Sequence, residues 1–335
     1  MKLEEKLLNN GFSHIYVEKD AFKYDMCGKI LEGFENSKVI EIEDYKEVFS
    51  KNNQNFELQK KTPKLILAVK KDGFIYEGAK VCESFGNENF YYTSSVLNCI
   101  YDCEYCYLQG VYSSANIVVF VNIDEIFKHV ENILKKQSMY ICISYDTDLL
   151  ALESKIGLVK RWYDFVNRHE NLKIELRTKS SNIKFFENLE PNKNFIVAWT
   201  ISPQEVAIVH EKGTPNFNMR IKGAKELINR GWTVRICFDP VIKIENFEDI
   251  YGKMIEDTFE IIDGEKILDV SIGTFRISKE YLKRMKKNRG NSRVLFYPFE
   301  CCDGVYSYGE NTTKKMINYM KENVKRYVKE EKIFI

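Results

Sequence analysis

Residues 90–107 read FYYTSSVLNCIYDCEYCY, an aromatic and β-branched run followed at once by cysteines at 99, 103 and 106. The run predicts a strand over 90–97. The cysteines follow at spacing C-x3-C-x2-C, in a loop that also carries Asn98, Asp102 and Glu104. Such polar company argues against three core thiols. Soft thiolates gathered in one loop suit zinc or an iron–sulfur cluster. Zinc would call for a fourth Cys or His nearby, and between Asp72 and His129 only Cys82 is present, ahead of the strand. Three cysteines suggest instead a 4Fe–4S cluster with one iron open to a ligand.

Outward from this loop a rhythm sets in. Short apolar runs at 116–121, 139–144, 172–178, 195–201, 233–238 and 269–275 read as strands. Helix-period segments at 123–136, 149–168, 216–230 and 246–262 fill most of the gaps. Asn122 with Glu125 predicts a capped helix start, and Gly231 a helix end. Alternation of this kind predicts a parallel sheet with crossover helices. About six units make a partial (β/α) barrel, with a doubly wound open sheet as the competing layout. The expected organisation is an N-terminal mixed, Lys-rich extension over 1–89, the barrel over 90–290, and a β-hairpin plus helix over 291–335. Residues 64–70 predict one strand within the extension.

The chain has 335 residues, with 44% hydrophobic and 13% aromatic residues, enough for a substantial core and against general disorder. Its net charge is 50 − 49 = +1, which gives no general case for a polyanion partner. No apolar stretch reaches the roughly 18 residues of a membrane span. The start, MKLEEKLLNNGFSHIYVEKD, lacks a signal-peptide core. A cytoplasmic location is expected. There nine unevenly spaced cysteines read as ligands, reactive thiols and core fillers rather than a disulfide framework.

In a barrel the chemistry sits at the C-terminal strand ends. Five predicted strand ends are polar: Ser144-Tyr145-Asp146-Thr147-Asp148, Arg177-Thr178-Lys179-Ser180, Thr200-Ile201-Ser202, Asp239-Pro240 and Arg276. One further segment, with Arg276, Lys279, Lys283, Arg284, Lys286, Lys287, Arg289 and Arg293 against the single acid Glu280, precedes Phe296, Tyr297 and Phe299. Positive charge beside aromatic rings suits phosphate contact and base stacking.

Cys99, Cys103, Tyr105 and Cys106 match C-x3-C-x-aromatic-C, which resembles the radical S-adenosyl-L-methionine (AdoMet) superfamily. Cys103-Glu104-Tyr105-Cys106-Tyr107-Leu108-Gln109 further resembles the C-x-Y-C-Y-L-Q segment of spore photoproduct lyases. Shorter likenesses follow at Tyr145-Asp146-Thr147-Asp148, Thr178-Lys179, Trp199-Thr200-Ile201-Ser202, Asp239-Pro240 and Phe275-Arg276-Ile277-Ser278-Lys279. The resemblance implies that Cys99, Cys103 and Cys106 hold a 4Fe–4S cluster. It implies that Thr147, Asp148, Lys179, Thr200 and Ser202 surround AdoMet. It places Tyr105 and Tyr107 near the adenosyl group and in radical transfer. The implied reaction is reductive cleavage of AdoMet to a 5′-deoxyadenosyl radical that starts repair of a UV-induced thymine lesion in DNA. A flavodoxin- or ferredoxin-type reductant would supply the electron. The alternatives are another nucleic-acid or peptide substrate on the same fold, and a zinc- or cluster-stabilised binding module.

Two positions depart from the family pattern. Tyr145 stands where the family has a hydrogen-donating cysteine, and the C-terminal hairpin carries Glu300, Cys301 and Cys302 in place of a basic–aromatic pair. The hairpin thiols Cys301 and Cys302 rank first as hydrogen-atom donors, then Tyr145, then Cys142. Residues 142 and 145 are expected on opposite faces of their strand.

Overall fold

The computed structural model describes residues 11–79 and 82–335. The first ten residues, half of the stretch judged to lack a signal-peptide core, lie outside that range. Two compact units are present: residues 1–102 with 111–176, and residues 103–110 with 177–335.

In the first unit the stretch expected to be a mixed lead-in builds a sheet. Its strand order is Lys38–Ile42, His14–Glu18, Leu65–Ala68, Ile117–Phe120 and Val96–Leu97, parallel except for the last pair. Leu65–Ala68 and Ile117–Phe120 are buried along their whole length, which is why they read as unbroken apolar runs. Phe49, Ile66, Ala68, Leu97, Val118 and Phe120 form the core on one side. Glu18 is buried at the end of its strand, but its carboxylate accepts the Tyr45 and Val69 N–H groups at 2.7 and 2.8 Å. The predicted strand 116–121 thus joins the N-terminal sheet. Likewise the single strand expected over 90–97 is two: Phe90–Tyr92 pairs with Met139–Cys142, and Val96–Leu97 with Ile117–Phe120.

Phe90–Tyr92 and Met139–Cys142 are parallel, and Leu172–Thr178 continues parallel beside the latter. Tyr76–Glu77 adds an antiparallel edge. The helical pattern at 149–168 is split into Leu149–Ile156 and Leu158–Val166 by Gly157, whose φ of 70° suits a residue without a Cβ. Asn122 does precede helix Ile123–Leu134, but its side chain does not cap it. Its amide is taken by Lys70, bonding that residue's N–H and C=O at 2.8 Å each, and it also donates to Glu125 at 2.5 Å.

The second unit holds parallel strands Phe195–Thr200, Thr233–Val241, Val270–Thr274 and Ile333–Phe334 in that order. All six residues of Phe195–Thr200 are buried. Trp199 is enclosed completely, with its indole N–H donating to the Ser180 carbonyl at 2.9 Å. Helix Phe217–Asn229 starts as predicted, with Asn216 accepting the Met219 N–H, and Gly231 follows it at φ 85°. Ile277–Ser278, Val305–Ser307 and Glu300–Cys302 form a small antiparallel sheet. Among the described residues no helix is long and apolar enough to cross a membrane.

Candidate active site

Cys99 closes the first unit's share of the cysteine loop. Lys60 reaches it from helix Phe56–Lys61, and its ammonium donates to the Cys99 and Tyr101 carbonyls at 2.6 and 2.8 Å. Asn98 takes a φ of 68° and donates to the Ser114 and Asn116 carbonyls, each at 2.7 Å. The Tyr101 N–H points at Cys99 Sγ, 3.4 Å away. Ammonium and amide groups thus fix the turn that presents this sulfur.

The rest of the loop, residues 103–110, is gripped within the second unit by helix Lys279–Asn288 and the residues after it. Gln109 donates to the Cys103 and Glu104 carbonyls and accepts from Arg289 Nε at 2.8 Å. Asn288 donates to the Gln109 carbonyl and Arg284 to that of Gly110, both at 3.1 Å. Gly110 leaves no room for a Cβ, which would stand 2.5 Å from Tyr281 Cβ. Part of the basic segment read as a phosphate surface therefore has structural work. Arg289 is buried against the loop, Arg284 bonds it, and Arg276 bonds Asp239 and the Thr274 carbonyl. Lys279, Lys283, Lys287 and Arg293 remain exposed, and Lys286 lies over the Phe296 ring at 5.2 Å.

His210, which carries no motif in the sequence, pairs with Glu104 of the loop, and its carbonyl accepts the Glu104 N–H at 2.7 Å. The next residue, Glu211, is buried and takes the Tyr105 phenol, the Ser202 hydroxyl at 2.8 Å and the Arg220 guanidinium. Burial pushes the Glu211 carboxyl up, but Arg220 and Lys179 outweigh it and hold it down at about 2. Half-buried Lys179 lies over the Tyr105 ring at 5.5 Å. Desolvation works against its ammonium, and the Cys103 thiol and Glu211 carboxylate overcome that and raise its pKa. Burial also drives the Tyr105 phenol well above its ordinary range, with Glu211 adding to the effect. Tyr105, Lys179, Thr200 and Ser202 are thus brought together. Tyr107 is half-buried, and its carbonyl accepts the Gly110 N–H at 2.8 Å.

Three other candidates lie in the first unit. Thr147 Oγ1 is buried with no hydrogen-bond partner. Asp148 caps helix Leu149–Ile156 by accepting the Ala151 N–H at 3.2 Å. Tyr145 stacks on Tyr92 with ring centroids 4.1 Å apart, and its hydroxyl lies 3.6 Å from Cys82 Sγ. Cys142 is buried, while Cys301 and Cys302 are exposed on the hairpin in the second unit. Sequence reasoning missed Cys82, Glu211 and Arg220. Nothing local marks them: Cys82 lies 63 residues from Tyr145, and Glu211 lies 106 from Tyr105.

The donor chemistry suits a cluster and AdoMet. Among the described residues no three His, Cys, Asp or Glu side chains could hold one metal ion. A cubane makes a different demand, since each thiolate binds its own corner iron. An N–H aimed at Cys99 and an ammonium coupled to Cys103 and Cys106 both favour thiolates. Within the second unit the Lys179 ammonium suits a ligand carrying a carboxylate, and within the first the orphaned Thr147 hydroxyl suits one with a polar group to offer.

Comparison with known proteins agrees. The family model for spore photoproduct lyase matches residues 12–334. A spore photoproduct lyase of Clostridium acetobutylicum is 24% identical over 298 residues, covering 86% of this chain and 85% of that protein. One of Geobacillus sp. is 17% identical over 242 residues, covering 68% and 71%. Among solved structures, a mutant spore photoproduct lyase with bound AdoMet and dinucleoside spore photoproduct superposes with a TM-score of 0.83 at 18% identity, over 96% of this chain and 97% of that one. A second, complexed with dinucleoside spore photoproduct, gives 0.82 at 18% over the same shares. The fold is therefore the partial barrel of the radical AdoMet type, as the strand–helix rhythm predicts. With the cysteine loop, the strand-end polar residues and a family match across nearly its whole length, the chain belongs to the spore photoproduct lyase family of the radical AdoMet superfamily.

Proposed function

We propose that this chain is a radical AdoMet lyase that repairs the spore photoproduct, a methylene-bridged thymine dimer, in DNA. The observation that carries the reading is the gathering of Tyr105, Lys179, Thr200 and Ser202 around the loop of Cys103 and Cys106. When bound, the cluster and AdoMet supply a 5′-deoxyadenosyl radical. Cys99, Cys103 and Cys106 hold the cluster. Thr147, Lys179 and Ser202 offer AdoMet polar partners, and Tyr105 lines the adenosyl side. Lys279, Lys283, Lys287 and Arg293 offer charge to the DNA backbone.

Cys82 is the hydrogen-atom donor in this reading. Its thiol lies beside Tyr145, the residue at the family's donor position, whereas Cys301 and Cys302 face solvent. The thiol hydrogen passes to the product carbon radical and leaves a thiyl radical. The neighbouring phenol can return a hydrogen to the sulfur, and one further electron from the reductant, with a proton from solvent, restores the phenol. A flavodoxin- or ferredoxin-type reductant supplies the electron. Nine cysteines, none in a disulfide, suit the reducing cytoplasm.

The test is anaerobic incubation of the iron-loaded protein with dithionite, AdoMet and dinucleoside spore photoproduct. Conversion to two thymidines is expected. AdoMet cleavage without loss of the lesion moves the substrate to another nucleic acid or a peptide. A colourless zinc protein that never cleaves AdoMet makes it a binding module.

A further inference from the structure

Glu211 and Arg220 belong to none of the motifs, yet three of the candidate residues, Tyr105, Thr200 and Ser202, meet at them. Both side chains are fully enclosed, at 1% and 0% exposure. Glu211 receives Tyr105, Ser202 and Arg220. Arg220 spends its remaining donors on the Pro215 carbonyl at 2.9 Å, the Thr200 carbonyl at 3.2 Å and the Thr214 hydroxyl at 2.7 Å. Every bond of the pair thus ends on the cysteine loop, on the polar end of strand Phe195–Thr200, or on the turn that carries Glu211 itself.

A buried ion pair is a poor source of stability, because apolar residues of similar volume serve as well or better. What it supplies is fixed geometry and fixed charge. The guanidinium fork ties the Thr200 carbonyl to the Glu211 carboxylate through its two NH2 groups. The carboxylate in turn fixes the rotamers of Tyr105 and Ser202 before a ligand arrives.

We propose that Glu211 and Arg220 are positioning residues of the AdoMet site, locking Tyr105, Ser202 and the Thr200 strand end in place. This rests on the AdoMet reading above. Neither residue need touch AdoMet.

The experiment is calorimetric titration of AdoMet into the anaerobic, iron-loaded protein, with iron content and Tm measured on the same samples. The parent should bind. Glu211→Gln should keep its iron but bind AdoMet at least tenfold more weakly, and Glu211→Asp should recover part of the loss. Tyr105→Phe leaves the ion pair whole and cuts one link, so it keeps the test alive if Glu211→Gln does not fold. It should weaken AdoMet binding without lowering Tm. The double variant should bind no more weakly than Glu211→Gln alone, because both changes remove the same link. Lowered Tm with unchanged AdoMet affinity in both single variants would make the pair merely structural and overturn the proposal. A parent that holds iron but does not bind AdoMet would overturn the underlying reading, and this proposal with it.

Discussion

Replacing Cys82 by Ala is expected to separate opening of the lesion from clean completion. AdoMet should still be cleaved and the lesion lost, but by-products should appear in place of two thymidines. Cys301→Ala and Cys302→Ala should keep the parent's products. Chromatography of anaerobic turnovers decides, and clean product from Cys82→Ala at the parent rate would exclude this thiol. A second residue gives a pH signature. Glu153 is buried, and although it accepts the Val159 and Lys160 N–H groups, burial pushes its carboxyl up to about 7. The unfolded chain releases this proton near pH 4 and the folded one near 7. Its contribution is therefore full below about pH 4 and falls as pH rises through 7, by on the order of 3 kcal/mol. Urea unfolding at pH 5 and pH 8 should show that decline in the parent, and Glu153→Gln should flatten it. At this scale the sequence shows what spacing encodes. Cys99, Cys103 and Cys106 announce themselves because their partners are neighbours. Glu211, Arg220 and Cys82 do not, because folding alone brings their partners near, and a Glu beside His210 and Lys212 reads as a solvated turn.

Helix Lys279–Asn288 and loop 103–110 meet where Gly110 faces the Tyr281 backbone. Gly110→Ala would set a Cβ 2.7 Å from Tyr281 Cα and 2.8 Å from its carbonyl oxygen, atoms that cannot swing aside. The helix or the loop must shift, at a cost of about 1–3 kcal/mol. A lowered Tm together with reduced iron content is expected, and an unchanged Tm would show that the contact yields freely. The elements most legible in the sequence are those whose ends carry local chemistry, such as Phe217–Asn229 between Asn216 and Gly231. The N-terminal parallel sheet is not legible. Its edge strand Lys38–Ile42 is exposed or half-exposed at every position, and its apolar residues Val39, Ile40 and Ile42 break the alternation that marks a half-buried strand. Strand 90–97 misleads for another reason: Thr93, Ser94 and Ser95 are buried, and there the chain passes from one sheet to the other.

Across the whole chain the net charge of +1 conceals a local excess that survives the structural use of Arg276, Arg284 and Arg289. Lys283→Gln and Lys287→Gln should each weaken binding to undamaged DNA about equally for all sequences. Each should also lower the slope of log affinity against log salt by about 1, as measured by fluorescence anisotropy. An unchanged slope would remove these lysines from the nucleic-acid surface. The small hairpin has a consequence of a different kind. Cys301 and Cys302 are both exposed and adjacent in strand Glu300–Cys302, so alternation turns them to opposite faces and they are poorly placed to join each other. Oxidation in air therefore has a better outlet between two chains than within one. Material handled without reductant should run in part as a covalent pair on a non-reducing gel, and Cys301→Ser with Cys302→Ser should abolish that band.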